Sequence, residues 1–230
     1  TYQLTKVIMD TLTARFGGKP HVIFCLLKRL KLDVNRDKIE AAEGNIYGER
    51  AWAEYHHYLD IAKELVAVNH GSGIVFDIHG HGENPDGYYD LRTWLGYLIK
   101  GHELDLTDEE LNTLDFKDKS SIKVLADSSS HSFINILRGE TSLGRIMDSL
   151  GYECVPSVNA LGPAGSRYFS GGYITARHGS SEEGIISAIQ IELPEPEIRD
   201  TEENWSRYAS AFATAVSEYY ELHLEKNIQP

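Results

Sequence analysis

Three short groups of residues in this chain combine types that do chemistry. The first is Asp77-Ile78-His79-Gly80-His81, which closes the apolar run Ile74-Val75-Phe76. Neutral imidazole is a common metal ligand, and glycine lets a substrate approach the backbone. The second is Asp33-Val34-Asn35-Arg36, where a short Asn/Asp turn presents a guanidinium that suits bidentate capture of a carboxylate. The third is Gln190-Ile191-Glu192, a lone acid near the end of an apolar strand. Burial there raises a carboxyl pKa, which suits a general acid or base. Hydrolysis by a metal-activated water needs metal ligands, a base and a cation. His79, Glu192 and Arg36 supply one of each. Plainer readings stay open for all three: a turn with surface histidines, a surface ion pair, and a glutamate on the polar face of its strand.

The elements that must position these residues follow from periodicity. Leu4, Val7, Ile8, Leu12 and Phe16 predict a helix over 2–16, ended by Gly17-Gly18. His21–Leu27 predicts a buried strand, followed by a charged loop over 28–37. Trp52, Tyr55, Leu59, Ala62 and Val66 share one face of a helix over 48–69. Strands are predicted over 73–79, 94–99 and 185–193, with a short one at 152–155, and Asn84-Pro85-Asp86-Gly87 makes a turn. The stretch 156–184 is rich in Gly, Ser and Pro and reads as a functional loop. Trp205, Tyr208, Phe212, Val216 and Tyr219 face inward from a helix over 201–226. Strands alternating with helices predict an α/β domain whose sheet is parallel at its centre. The expectation is a single domain over 1–230, with short helical pieces at 107–150 as an insert.

Composition narrows the function. The net charge of −13 disfavours nucleic acid as a partner, and no apolar run approaches the ~20 residues of a membrane span. Cys25 and Cys154 lie in apolar runs and read as free thiols, with one disulfide open if the protein is secreted. Cytoplasmic and secreted locations both remain open. Asn204-Trp205-Ser206 is a glycosylation sequon of a kind that chance often produces. The chain has no HExxH, GxSxG or P-loop, and its Gly80-His81-Gly82 departs from the dinucleotide fingerprint at Pro85. His21 falls at the wrong end of its strand, His56 and His57 read as helix residues, and His70, His102 and His131 have no partner at ligand spacing. Paired acids such as Asp86 and Asp90 are not placed across a cleft, so a glycosidase reading fits less well.

Four segments together resemble the N-formylglutamate amidohydrolase family. They are Lys31–Asp37, Phe76–Gly82, Gly171–Gly179 and Ile189–Glu192. More widely, they are similar to the zinc carboxypeptidase-like amidohydrolases. The resemblance implies a three-layer phosphorylase/hydrolase-like α/β fold with a mixed, centrally parallel sheet. It also implies a zinc hydrolase that cuts the amide of a small, carboxylated N-acyl amino acid. On that basis His79 would ligate zinc and Glu192 would be the general base. Asn35 and Arg36 would hold the substrate carboxylate or the oxyanion, and Arg177 and His81 would be further contacts. The family's first two ligands, a His-Gly motif and an acid, have no counterpart here. Two expectations follow: a fragment with its first strand missing, or a member that has lost its metal. The sheet edge would then be covered by an N-terminal segment or by a second copy in a homo-oligomer. The alternative function is a catalytically inactive binding or structural module on the same fold.

Overall fold

The computed structural model describes residues 1–225, apart from 86, 114, 182 and 183. Asp86, and with it the centre of the turn expected at 84–87, therefore lies outside the described residues. Among those residues four strands form one mixed sheet: β1 (Ile74–Gly80), β2 (Thr93–Gly96), β3 (Cys154–Val155) and β4 (Ser187–Leu193). Their order is β1-β4-β2-β3. β1 runs parallel to β4 and β2 parallel to β3, while β2 and β4 are antiparallel. The parallel pairings thus flank an antiparallel centre, where the pattern predicted parallel neighbours. A long connection such as that from β2 to β4 does not fix strand direction as a short crossover does.

Alternation along the strands separates two chemistries. Ile74, Phe76 and Ile78 of β1 and Ile189, Ile191 and Leu193 of β4 join the main apolar core. There Phe76 meets Phe212 edge to face at 5.3 Å. Phe212 belongs to α11 (Glu202–Leu224), which buries Tyr208, Phe212, Val216 and Tyr219 and packs beside α1 (Tyr2–Phe16). Thr201 caps α11 by accepting the Asn204 N–H at 3.1 Å. The other sheet face carries Asp77, His79, Gln190 and Glu192.

On that second face lie α2 (Lys38–Ala42), the long α3 (Ile46–His70) and α10 (Tyr173–His178). Asn45 caps α3 by accepting N–H groups from Tyr47 and Gly48, each at 3.0 Å, and Gly71 ends it at φ 74°. The pieces between are α4 (Gly101–Leu104), α5 (Asp108–Thr113), α6 (Phe116–Lys119), α7 (Lys123–Ser128), α8 (Phe133–Leu137) and α9 (Leu143–Ser149). They and the turns between them give Leu111, Phe116, Ile122, Ile136, Leu143 and Met147 to the same core as the sheet. Buried Arg138 ties this region together, bonding Asp108 and the carbonyls of Leu104, Leu106 and Leu161.

Several local expectations change. His21–Leu27 has no regular secondary structure and joins no ladder. Val22, Ile23, Phe24 and Cys25 are partly buried, whereas Leu26 and Leu27 are exposed; His21–Phe24 lie beside Tyr58, Ile61 and Ala62 of α3, and Phe24 packs on Tyr2. The strand expected over 94–99 ends at Gly96, because Leu98 adopts φ 65°. The loop at 156–184 contains the six-residue α10. Both cysteines are free. Asn204 of the sequon is buried on α11, donating to Asp200 at 2.7 Å, which leaves no room for a glycan. No helix among the described residues is long and apolar enough to cross a membrane.

Phe212 sits at the junction of β1 and α11. Replacing it with Ala is expected to cost about 3–5 kcal/mol in chemical denaturation, whereas Leu30→Ser, at a 97% exposed position, should change stability by no more than about 0.5 kcal/mol.

Candidate functional site

The parallel register of β1 and β4 builds the site. It sets Asp77 beside Gln190 and His79 beside Glu192, so four polar side chains form a block on one sheet face. The block lies at the carboxyl ends of both strands, the usual ligand position in an open α/β sheet. Within it His79 Nε2 stands 2.9 Å from Asp77 Oδ1. Asp77 Oδ2 is buried and makes no hydrogen bond among the described residues. Glu192 is only 6% exposed, and its Oε1 accepts from Gln190 Nε2 at 3.0 Å.

The loop carrying Asp33-Val34-Asn35-Arg36 covers this block. Asp33 Oδ1 accepts the Asn35 N–H at 3.2 Å, which turns the Asn35 side chain inward. Its Oδ1 accepts the Ile174 N–H at 2.9 Å, and its Nδ2 donates to Gln190 Oε1 at 3.5 Å. Thr175 Oγ1 donates to the same Gln190 oxygen at 3.5 Å. This contact explains Gly172: a Cβ there would stand 2.3 Å from Asn35 Nδ2. On β2, Gly96 likewise leaves room for the backbone of Ser170 and Gly171.

The structure places the remaining predicted residues as follows. Arg36 is half-exposed, with Nη1 2.7 Å from Glu40 and Nε 3.5 Å from Asp33. Arg177 pairs with Asp60 of α3 at 3.1 Å and lies over the Trp52 ring. His81 is buried, stacked on Trp94 at 3.8 Å, and donates from Nε2 to the Arg92 carbonyl at 3.1 Å. Asp77, His79, Asn35 and Glu192 therefore share one polar block, while Arg36, Arg177 and His81 make their contacts around its margin.

Electrostatics distinguish the two central residues. Burial opposes a charge on His79. The charge and hydrogen bond of Asp77, helped by Glu192, outweigh it and raise the imidazole to about 9. For Glu192 burial dominates and pushes the carboxyl upward, although His79 partly offsets it. The arginines whose charges act on Glu192 are Arg199 and Arg29. The pattern of the loop singled out Arg36 instead. Gln190 was accessible from sequence by period two alone, but Arg29 and Arg199 carried no such signal.

A buried histidine pair lies behind the loop and has no local signature in the sequence. His56 Nδ1 is 2.8 Å from His178 Nε2, with the rings stacked 14° from parallel. His56 Nε2 lies 3.1 Å from the Val34 carbonyl, so it must be the donor there. Its Nδ1 then accepts from His178. Burial, followed by the charge of Arg177, lowers His56 to about 4. Burial, then Lys63, His56 and Arg177, lowers His178 to about 3.

No family model, curated protein or solved structure matches this chain. The chemistry of the site rests on its own geometry. Among the described residues no group of three or more His, Cys, Asp or Glu side chains is placed to hold a metal ion. Catalytic zinc takes three protein donors and leaves one position open. The donors present do not by themselves fit that requirement, since His79 stands with Asp77, whose Oδ1 it already engages.

The histidine shifts fix a pH dependence. His56 and His178 bind protons in the unfolded chain near 6.5 but in the folded chain only near 4 and 3, so their contribution is present above 6.5 and lost as pH falls toward those values. His79 has the opposite sign: its contribution is complete below 6.5 and lost as pH rises through about 9. Melting temperatures of metal-free protein should therefore peak near pH 6.5. His79→Asn should flatten the alkaline limb and His178→Asn the acid limb. A profile that only rises with pH would contradict the His79 assignment, and one that only falls would contradict the assignment of the histidine pair.

Proposed function

We propose that this chain is a hydrolase of the three-layer phosphorylase/hydrolase-like type, cutting the amide of a small N-acyl amino acid such as N-formylglutamate. The observation that carries the reading is Glu192: a buried acid at a strand end, paired in register with His79 and oriented by Gln190. A carboxyl whose proton affinity is raised by burial suits taking a proton from an attacking water and returning it to the leaving amine. Asp77 fixes the orientation of His79 and favours its charged form. Arg36, half-exposed on the covering loop, remains the proposed contact for a substrate carboxylate. Asn35 contributes by holding Gln190 and the start of α10. Arg177 and His81 support the margins of the same face. The resemblance to the amidohydrolases also implies zinc, with His79 as the chain's own candidate ligand. Because that donor set is short of three among the described residues, the proposed proton transfers run through the protein's side chains alone.

One observation favours a second reading. The same shortage of donors fits a binding or structural module that has kept the fold without the reaction. Metal analysis, together with hydrolysis of N-formyl- and N-acetyl-L-glutamate with and without added zinc, separates the two. The hydrolase reading expects turnover that falls about 10²-fold or more in Glu192→Gln, with an unchanged melting temperature. Unchanged turnover in both Glu192→Gln and His79→Ala would contradict it. Absence of turnover under every metal condition would leave the binding module.

A further inference from the structure

The helix α3 reaches the covering loop with two side chains one turn apart. Trp52 Nε1 donates to the Arg36 carbonyl at 3.0 Å, and His56 Nε2 donates to the Val34 carbonyl at 3.1 Å. These carbonyls flank Asn35, the residue that enters the polar block. Asn35 in turn accepts the Ile174 N–H and reaches Gln190, which holds Glu192. The second nitrogen of His56 engages His178, at the other end of the same short α10 whose first turn carries Ile174. The contacts form a closed ring running from α3 to the loop, on to α10, and back to α3 through the histidine pair. Its inward spur is Asn35–Gln190–Glu192.

The two histidines of this ring are buried and packed against aromatic rings. His56 is 1% exposed and His178 is fully buried. The His56 ring packs 4.3 Å from Trp52 and edge-on to Tyr173 at 5.4 Å. The charged groups acting on the pair are Asp60 and Lys63 of α3, Arg177 of α10 and Asp77 of β1. None of them takes the place of the bond to Val34. A buried hydrogen bond between two side chains from distant segments is an expensive way to fill space, since either partner alone would leave an unmet polar group. An apolar pair would fill the same volume without that cost.

We propose that His56 and His178, with Trp52, are positioning residues for the Glu192 site. They hold Asn35 at the depth where its amide fixes Gln190 and, through it, the Glu192 carboxyl. This inference rests on the proposed role of Glu192, but the ring itself does not depend on any particular substrate. If the ring is broken, Asn35 withdraws, water reaches Glu192, and the carboxyl becomes both misaligned and more acidic.

The test compares His56→Leu with His56→Gln in the full chain. Leucine removes both polar contacts. Glutamine keeps a donor for Val34 and an acceptor for His178. Two readouts are taken: the titration of the Glu192 carboxyl by carbon-13 NMR, and kcat and KM for N-formyl-L-glutamate. His56→Leu should move the Glu192 titration toward the ordinary glutamate range and lower kcat by about 10- to 100-fold with a smaller change in KM. His56→Gln should restore most of both. If His56→Leu does not fold, Trp52→Phe, which loses the bond to Arg36 and keeps an aromatic ring in the packing, should show the same changes in weaker form. A folded His56→Leu, or in its place Trp52→Phe, with the Glu192 titration unaltered would overturn the inference and leave the proposed hydrolase standing. A shifted titration in a protein that hydrolyses no N-acyl amino acid would uphold the ring and remove the proposed function.

Discussion

The structure depends on one pairing, the parallel register that sets His79 beside Glu192. A carboxyl and an imidazole are thereby brought out of bulk water on neighbouring strands. Buried polar groups need partners, and the surrounding architecture reads as the consequence. Gln190 lies two residues before Glu192 and donates to it; Asp77 lies two residues before His79 and engages it. Period two supplies each central residue with a neighbour on the same face. Asn35 and Thr175 then satisfy the far end of Gln190.

The two sheet faces solve different problems. Toward α11 the alternating residues are Ile, Phe and Leu, and stability comes from burying them. Toward α3 and α10 the same strands carry acid, amide and imidazole, and the elements covering them need matching polar groups. Two close approaches on that side need glycine. Gly172 makes room for Asn35, and Gly96 makes room for the loop before α10. The need for matching polar groups explains why α3, a helix of 25 residues, commits Trp52 and His56 to backbone carbonyls of the loop.

Much of this was legible in the sequence where periodicity is long. α1, α3 and α11 follow from apolar spacing, and β1 and β4 from short apolar runs closed by Gly and Pro. Asp77, His79 and Glu192 stood out because a polar residue in such a run needs a reason. His21–Leu27 misled because an apolar run looks the same whether it joins a ladder or packs between helices. α10 escaped because six residues in a glycine-rich stretch carry little propensity; contacts from Asn35 and His56 hold it in place. The pairing of His56 with His178 spans 122 positions and has no local signature. Arg36 was conspicuous for its turn, yet Arg29 and Arg199 are the arginines whose fields reach Glu192, a matter of tertiary placement alone.

If the proposed function holds, the carboxyl ends of β1 and β4 bind a carboxylated N-acyl amino acid. The most direct measurement is amide chemical-shift mapping of the labelled protein during titration with N-formyl-L-glutamate. Saturable shifts are expected at His79–Gly82, at Leu193 and at Ile174, with the outer face of α3 around Tyr58 and Ile61 unmoved. Shifts confined to that outer face, or none at concentrations where the ligand is in large excess, would contradict the proposed function.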